Sequence, residues 1–319
     1  MKLQTTIPLK PQEHNQIDYN SNVLLIGSCF VKNIGKKLDY FKFQNLQNPF
    51  GILFHPLAIE NLIGNAINQK EYTEKDIFFN NEQWHCYDAH SKLSNPSKDE
   101  LLNHLNEQIK STNQQIHEST HVIITLGTAW VYRFIETDNV VANCHKVPQK
   151  KFLKELLSVD EISESLQTVI ALIRSVNSSA SVLFTVSPVR HLKDGFIENT
   201  QSKAHLISAI HSILSPQVQS SGLYYFPSFE IMMDELRDYR FYAEDMIHPN
   251  QTAINYIWEK FQDIWISKDT SKTMGDVELI QKGLQHKAFN LNSEAHQKFL
   301  HNLKESQFKL RIQFSHIKF

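Results

Sequence analysis

Two short segments of the sequence carry side chains that together suit nucleophilic catalysis. Ser28 follows an apolar run and Gly27, and Asp245 stands three residues before His248. A serine hydroxyl is a weak nucleophile until an adjacent base takes its proton. A histidine serves as that base when a carboxylate holds one of its ring nitrogens, which an acid three residues away in a turn can do. The two segments therefore predict Ser28 as nucleophile, His248 as base and Asp245 as the group that orients the histidine.

Each segment also has a simpler interpretation. Residues 31–38 can begin a helix directly after Ser28, and capping such a helix is a common role for serine. Asp245 and His248 can equally form a solvated surface turn. Cys29 is an alternative nucleophile, but a helix that starts here would turn its side chain away from Ser28, and a free cysteine is more often a small buried hydrophobe. The local sequence alone leaves these alternatives open.

The residues between the two segments predict the elements that must position them. Apolar runs closed by turn residues indicate buried strands at residues 23–26, 122–126, 181–186 and 223–226. Helical spacing of apolar residues covers residues 56–67, 98–111, 159–177, 199–214 and 250–266. Strands that alternate with helices indicate a three-layer α/β/α sandwich with a mostly parallel sheet. Ligands of such sheets bind at the carboxyl ends of the strands, where Ser28 is expected.

Other regions interrupt or follow this alternation. Residues 76–90 predict a small hairpin insertion that turns at Asn80 and Asn81. The sequence after residue 266 is polar and has a helical pattern. We therefore predict one catalytic domain over residues 1–266 and a helical C-terminal appendage over residues 267–319.

The composition excludes several classes of protein. Of the 319 residues, 41% are hydrophobic and 21% are charged, which is the balance of an ordinary globular protein. A formal charge of -2 provides no basic field, so we expect no nucleic-acid partner. The longest apolar runs are too short to cross a membrane, so we expect no membrane partner. Three cysteines without a disulfide pattern, and no visible secretory segment, predict a cytoplasmic protein.

Several histidines raise the question of a metal site. The candidates that lie close together or could converge are His85, Cys86, His90, His121 and His145. Their spacing matches neither the H-E-x-x-H nor the paired C-x-x-C pattern of zinc sites. We therefore expect hydrogen-bonded or surface histidines, with no metal and no cofactor.

Further side chains are expected near the same edge of the sheet. Arg190 and His191 follow the third predicted strand. Arg190 is suited to hold an anionic substrate group, although arginine at a strand end equally pairs with structural carboxylates. We expect His55 to form a wall of the site. Trp130 can line a pocket, although packing in the core is the commoner use of tryptophan.

These residues, together with several other blocks, resemble a known family. A serine just past the first strand and a D-x-x-H before the last helix form the layout of the SGNH (GDSL-like) esterase superfamily. The segment Gly27-Ser28-Cys29-Phe30 resembles the signature of the GSCFA domain family, an SGNH-like group. The blocks that look like the rest of that family are NPFG (48–51), GTAW (127–130), NCHK (143–146), SPVRH (187–191) and DMIHP (245–249). The resemblance covers about residues 20–265.

The resemblance implies a fold, an activity and a substrate class. The implied fold is an SGNH-hydrolase-like, flavodoxin-like sandwich. The implied activity is the cleavage of a carboxylic ester through an acyl-serine intermediate. The substrate would be an ester of a small molecule or a glycan. The backbone N–H groups of Ser28 and Gly51 would hold the oxyanion.

One block departs from the superfamily pattern. Where typical SGNH esterases have G-x-N-D, this chain has Gly127-Thr128-Ala129-Trp130, so the side-chain donor of the oxyanion hole is missing. Asn143 and the Thr128 hydroxyl are the candidates to replace it. The same departure keeps open a second function, a non-catalytic ligand-binding module on the same fold.

Overall fold

The computed structural model describes residues 5–214 and 222–319. Within these ranges the strands are β1 (Asn22–Gly27), β2 (Gln44–Gln47), β3 (Ile77–Asn80), β4 (Gln83–Cys86), β5 (His121–Leu126), β6 (Trp130–Phe134), β7 (Asn139–Val141), β8 (Phe152–Leu156), β9 (Ser181–Val186) and β10 (Leu223–Tyr225). The helices are α1 (Val31–Tyr40), α2 (Pro56–Ile67), α3 (Lys98–Glu118), α4 (Val159–Val176), α5 (Phe196–Ile213), α6 (Ser228–Glu230), α7 (Gln251–Trp265), α8 (Ser271–Gln285) and α9 (Glu294–Gln313).

The central sheet is parallel and has the strand order β10-β9-β5-β1-β2. Successive side chains of a strand point to opposite faces, so each buried strand supplies two cores. In β1, Leu24 and Ile26 pack into one core with helices α2 to α5. Val23 and Leu25 pack into the other core with α1, α7 and α8. The predicted α/β sandwich with a mostly parallel sheet is confirmed.

Two small antiparallel sheets lie beside the central one. The predicted hairpin is formed by β3 and β4, but it turns at Asn81 and Glu82, one residue later than expected. Strands β7, β6 and β8 form a second antiparallel sheet. This second sheet matters for the site because Trp130, at its first position, lies on the cavity described below.

The C-terminal helices α8 and α9 pack into the core that contains Val23 and Leu25 of β1. Met274 and Val277 of α8 and Leu310 of α9 are buried in that core, and so is Ile317. The division of the chain at residue 266 stays a prediction. No helix of the two described ranges is long and apolar enough to cross a membrane. The three cysteines are unpaired.

Candidate functional site

A cavity of about 890 Å³ opens at the carboxyl ends of β1, β5 and β9. Trp130, Tyr132, Val141 and Phe152 of the small sheet of β6, β7 and β8 also line the cavity. Its lining includes Cys29, His55, Thr128, Arg190, His191 and His248. These residues are far apart in the sequence, and they meet here because parallel strands end at the same edge of a sheet.

The Asp245–His248 pair forms as the three-residue spacing predicts. Oδ2 of Asp245 lies 2.6 Å from Nδ1 of His248, and Oδ1 accepts the backbone N–H groups of Ile247 and His248 at 2.9 Å. The backbone N–H of His248, then that of Ile247, then the His248 ring lower the pKa of Asp245 to about 2. Both side chains are about half exposed, and His248 lines the cavity. A carboxylate in this position fixes the orientation of the His248 ring.

Ser28 lies directly after β1 but is completely buried. Its Oγ accepts a long hydrogen bond of 3.4 Å from the N–H of Phe30. The N-cap residue of α1 is Phe30, so Ser28 is not the cap that the simpler interpretation expected. Among the hydrogen bonds of the described residues, none joins Ser28 to His248. The predicted Asp245–His248 pair is therefore present, whereas Ser28 is not hydrogen-bonded to His248.

Cys29 lines the cavity, although its neighbour Ser28 does not reach the surface. Burial raises the pKa of the Cys29 thiol, and the charge of Lys203 opposes this only in part. A protonated thiol is a poor nucleophile. The Cys29 thiol therefore lies on the cavity but is not activated as a nucleophile.

Two of the expected oxyanion donors are already bonded in this structure. The N–H of Ser28 donates to the carbonyl oxygen of Thr125 at 2.9 Å, as a continuation of the β1–β5 ladder. The N–H of Gly51 donates to the carbonyl oxygen of Asn48 at 2.8 Å, which closes a turn. The side chain of Asn48 in turn accepts the N–H of Gly27 and ties this turn to the end of β1. Both N–H groups are thus engaged in this structure, and their role as oxyanion donors stays a prediction.

Gly127 has a packing role instead of a donor role. Its N–H donates to the carbonyl oxygen of Phe54 at 2.8 Å. A Cβ added at Gly127 would lie 3.0 Å from Cβ of Ser28, 3.1 Å from that carbonyl oxygen and 3.2 Å from Nε2 of His191. Only glycine allows Ser28 and His191 to approach each other so closely across this position.

The two candidates for the missing side-chain donor differ in availability. The Thr128 hydroxyl accepts the N–H of Trp130 at 3.0 Å and lies 3.1 Å from the Ser202 hydroxyl, so it is engaged in holding the start of β6. Asn143 lines the cavity, and its Oδ1 accepts the N–H of His145 at 2.8 Å. The amide nitrogen of Asn143 is therefore the group left to meet a ligand.

His55 and Trp130 line the cavity, as expected for wall residues. His55 is buried and caps α2, because its Nδ1 accepts the N–H of Ala58 while its Nε2 bonds the carbonyl oxygen of Val141. Burial lowers the pKa of His55 to about 4, so the ring is neutral. Trp130 donates its indole N–H to the carbonyl oxygen of Glu198 at 3.1 Å. Both residues are held by structural hydrogen bonds.

Arg190 lies on the cavity near His248 and has no ion pair with any carboxylate of the described residues. Its Nη2 approaches the Met233 sulfur at 3.6 Å, and its guanidinium lies 5.7 Å from the centre of the Tyr242 ring. These contacts leave most of its hydrogen-bonding capacity unused. Within the described ranges Arg190 is therefore not held by a structural ion pair, and its role in binding a ligand stays a prediction.

His191 is the second histidine near Ser28. Its backbone N–H donates to Oδ1 of Asn199 at 2.9 Å, and its ring meets the Phe54 ring edge to face at 5.1 Å. Its Nε2 is buried and has no hydrogen-bond partner within the described ranges. Burial, then the charges of Lys203 and His248, lower its pKa to about 3, so the ring is neutral near pH 7.

Lys203 is a buried residue of the site that the sequence analysis missed. Its Nζ donates to the carbonyl oxygens of Gly127 at 2.6 Å and Ser187 at 2.8 Å, so it joins the ends of β5 and β9. Burial lowers its pKa to about 7. Because Lys203 occupies a position with helical spacing in α5, nothing in the sequence distinguishes it from a surface lysine.

The histidines considered for a metal site make separate hydrogen bonds. Both ring nitrogens of His85 are paired, with Ser94 and the Asn80 carbonyl oxygen. His145 bonds the carbonyl oxygen of Cys86 at 2.7 Å. Within residues 5–214 and 222–319, no group of three or more His, Cys, Asp or Glu side chains is arranged to hold a metal ion.

Two family models match the sequence. One, described as the GSCFA family, matches residues 22–261. The other, described as the C-terminal domain of GSCFA domain proteins, matches residues 277–319. No curated protein matches the chain. The first match covers the central sheet and the cavity, and the second covers most of α8 and all of α9.

Proposed function

The chain belongs to the GSCFA family, and on that premise we propose that it is a serine hydrolase that cleaves a carboxylic ester. The substrate is an ester of a small molecule or a glycan. The reaction passes through an acyl ester of Ser28. His248 is the base, and Asp245 orients it.

The proposed reaction has two halves. His248 takes the proton of the Ser28 hydroxyl through Nε2 while Oγ attacks the ester carbonyl carbon, and the carbonyl oxygen becomes an oxyanion. The intermediate then collapses, and the alcohol leaves with the proton from His248. A water molecule then gives a proton to His248 and attacks the carbonyl carbon of the acyl-Ser28 ester. As the bond between this carbon and Oγ breaks, His248 returns the proton to Oγ of Ser28 and the carboxylic acid is released.

The Asp245–His248 hydrogen bond of 2.6 Å at the cavity is the observation that carries this proposal. It engages Nδ1 and leaves Nε2 to accept a proton, which is the tautomer that a base requires. A carboxylate whose pKa is lowered to about 2 remains charged throughout the neutral range and stabilises the imidazolium that forms. The unpaired Arg190 on the same cavity further supports a substrate with an anionic group.

The proposal requires Ser28 to become accessible. Among the described residues, the only hydrogen bond of its side chain, from the Phe30 N–H, is long and therefore weak. A rotation of the Ser28 side chain about χ1 breaks this bond and leaves the backbone–backbone hydrogen bonds of Ser28 in place. Catalytic hydrogen bonds often tighten only when substrate binds, so the separation of Ser28 from His248 is compatible with the reaction.

A fluorophosphonate probe, which reacts with activated serines, tests the proposal on the full chain. We expect the wild type to be labelled, Ser28→Ala to be unlabelled and His248→Ala to label at least about 10³-fold more slowly. Ser187→Ala is the matched control, because Ser187 is also completely buried after a strand and its Oγ also accepts the N–H two residues later, at 3.3 Å. It should label like the wild type. A folded wild type that stays unlabelled, or a label mapped to another residue, would contradict the proposal.

A second candidate function is a ligand-binding module without catalysis. It is favoured by the burial of Ser28 and by the bonded N–H groups of Ser28 and Gly51. In that case Arg190 and Asn143 bind an anionic ligand and Ser28 only packs. The labelling experiment separates the two, because a binding module leaves the probe unreacted in every variant. For either function, the three unpaired cysteines support a cytoplasmic location.

A further inference from the structure

Ester cleavage at Ser28 develops a negative charge on the carbonyl oxygen, and a fast enzyme needs hydrogen-bond donors for it. The N–H groups of Ser28, Gly51 and Gly127 donate to carbonyl oxygens elsewhere. The Thr128 hydroxyl is engaged as well, so the Asn143 amide nitrogen and the His191 ring remain as candidates on the cavity. The question is which remaining donor of the described residues lies next to Ser28.

The surroundings of Gly127 answer this question. The position that a Cβ would occupy at Gly127 is 3.0 Å from Cβ of Ser28 and 3.2 Å from Nε2 of His191. That nitrogen is buried and lacks a partner in the described ranges. Buried polar groups are rarely left unpaired unless they have a use. The ring is also held in place, because its backbone N–H donates to Asn199 and the ring packs at a right angle against the Phe54 ring.

The charges around His191 decide whether it acts as a donor or as a base. A base must become an imidazolium, and no carboxylate of the described residues lies against this ring to stabilise one. Burial, Lys203 and His248 all oppose the charged form, and together they lower the pKa of His191 to about 3. The ring therefore stays neutral during the reaction and offers one N–H group.

We propose that His191 is an oxyanion donor, and that its Nε2–H replaces the asparagine side chain that typical SGNH esterases place there. Gly127 makes the replacement possible, because any side chain at this position would separate Nε2 from Ser28. This inference rests on the proposed hydrolase function. It makes His191 a catalytic residue with a role different from that of His248.

The test measures hydrolysis of p-nitrophenyl acetate by the full chain, with His191→Leu and His191→Gln compared with the wild type. Leucine removes the donor, so kcat should fall about 10²- to 10³-fold with a much smaller change in KM. Glutamine places an amide N–H near the position of Nε2, so kcat of His191→Gln should be at least about tenfold higher than that of His191→Leu. Both variants should keep the wild-type pH dependence of kcat/KM, because the base is His248. His316→Leu is the control, since this half-buried histidine packs near Tyr19, in the core that contains Val23 and Leu25.

The outcomes separate the two proposals. Wild-type turnover by a folded His191→Leu overturns the role of His191 and leaves the hydrolase proposal intact. Equal losses in the leucine and glutamine variants also overturn it, since a donor role predicts rescue. If the wild type neither hydrolyses the ester nor reacts with the fluorophosphonate probe, the hydrolase proposal fails and the role of His191 fails with it.

Discussion

The two histidines of the cavity, His191 and His248, differ in nearly every physical property. His248 is about half exposed, stands in a turn and shares a hydrogen bond of 2.6 Å with Asp245. His191 has a buried, unpaired Nε2, and its pKa is lowered to about 3. Both line the same cavity.

The difference shows that two histidines of one cavity can have opposite electrostatic surroundings, an adjacent carboxylate at His248 and a buried lysine near His191. In the proposed reaction, the Asp245 carboxylate would stabilise the imidazolium that His248 must form as the base. Burial, and then the charge of Lys203, disfavour an imidazolium at His191, which leaves a neutral ring. Two residues of one type can therefore supply a base and an oxyanion donor within one site.

The substitution Asp245→Asn removes the carboxylate that distinguishes His248 from His191, and we expect it to have the largest effect. The amide keeps the shape of the side chain but lets His248 adopt the wrong tautomer, so we expect kcat for p-nitrophenyl acetate to fall about 10⁴-fold. Glu244→Gln is the control, because Glu244 is the adjacent exposed acid, and it should stay within about twofold of the wild type. A similar loss in both variants would mean that the general charge of this turn matters and not the bond to His248.

Gly127→Ala tests the packing that holds His191 next to Ser28. The new Cβ would contact Ser28, the Phe54 backbone and His191 at 3.0 to 3.2 Å, so we expect the free energy of unfolding in urea to fall by about 1–3 kcal/mol. Gly275→Ala is the matched control, since nothing lies within 4 Å of its Cβ position inside α8. It should stabilise the chain by about 0.5–1 kcal/mol. Equal effects at the two positions would contradict the close packing at Gly127.

The pH dependence of stability gives the smallest but most direct test of the neutral His191. An unfolded histidine titrates near pH 6.5, so as the pH falls below about 6.5 the unfolded state takes up a proton that folded His191, with a pKa of about 3, does not. Its contribution to stability is complete above this range and is lost progressively as the pH falls towards 3.

Glutamine does not titrate, so His191→Gln should reduce the slope of unfolding free energy against pH between pH 6 and 4 by up to about 1.4 kcal/mol per pH unit. Urea unfolding at a series of pH values measures this slope. The slopes of the two proteins should agree between pH 7 and 9, which is the internal control. An unchanged slope at low pH would show that His191 is readily protonated in the folded chain.

The fold could be predicted where burial is visible in residue types. Strands β1, β5 and β9 are continuous apolar runs because helices cover both faces of the sheet. Strand β2 was missed because its sequence, QNLQ, is polar and half-buried at the edge, and only its backbone pairing with β1 makes it a strand. Strands β7 and β8 were missed because their pairing partner, β6, is defined by the tertiary fold.

The site could be predicted only where its contacts are local. The bond between Asp245 and His248 spans three residues, so their spacing contains it. The acceptor of the Ser28 N–H is Thr125, and the contact between Gly127 and His191 joins the ends of two strands. Such contacts depend on strand register, which no single segment encodes. The sequence therefore indicated Asp245 and His248 correctly as neighbours, but it could not show which backbone N–H groups are already bonded.

The burial of Ile317 and Leu310 in the same core as Val23 and Leu25 has a consequence for synthesis in the cell. At about 5–20 residues per second, a ribosome needs roughly 15–60 seconds to proceed from β1 to Ile317. Throughout that interval one face of the sheet lacks its final cover, and exposed apolar surface of this kind promotes aggregation. The nascent chain is therefore expected to depend on chaperones until its last helix is made.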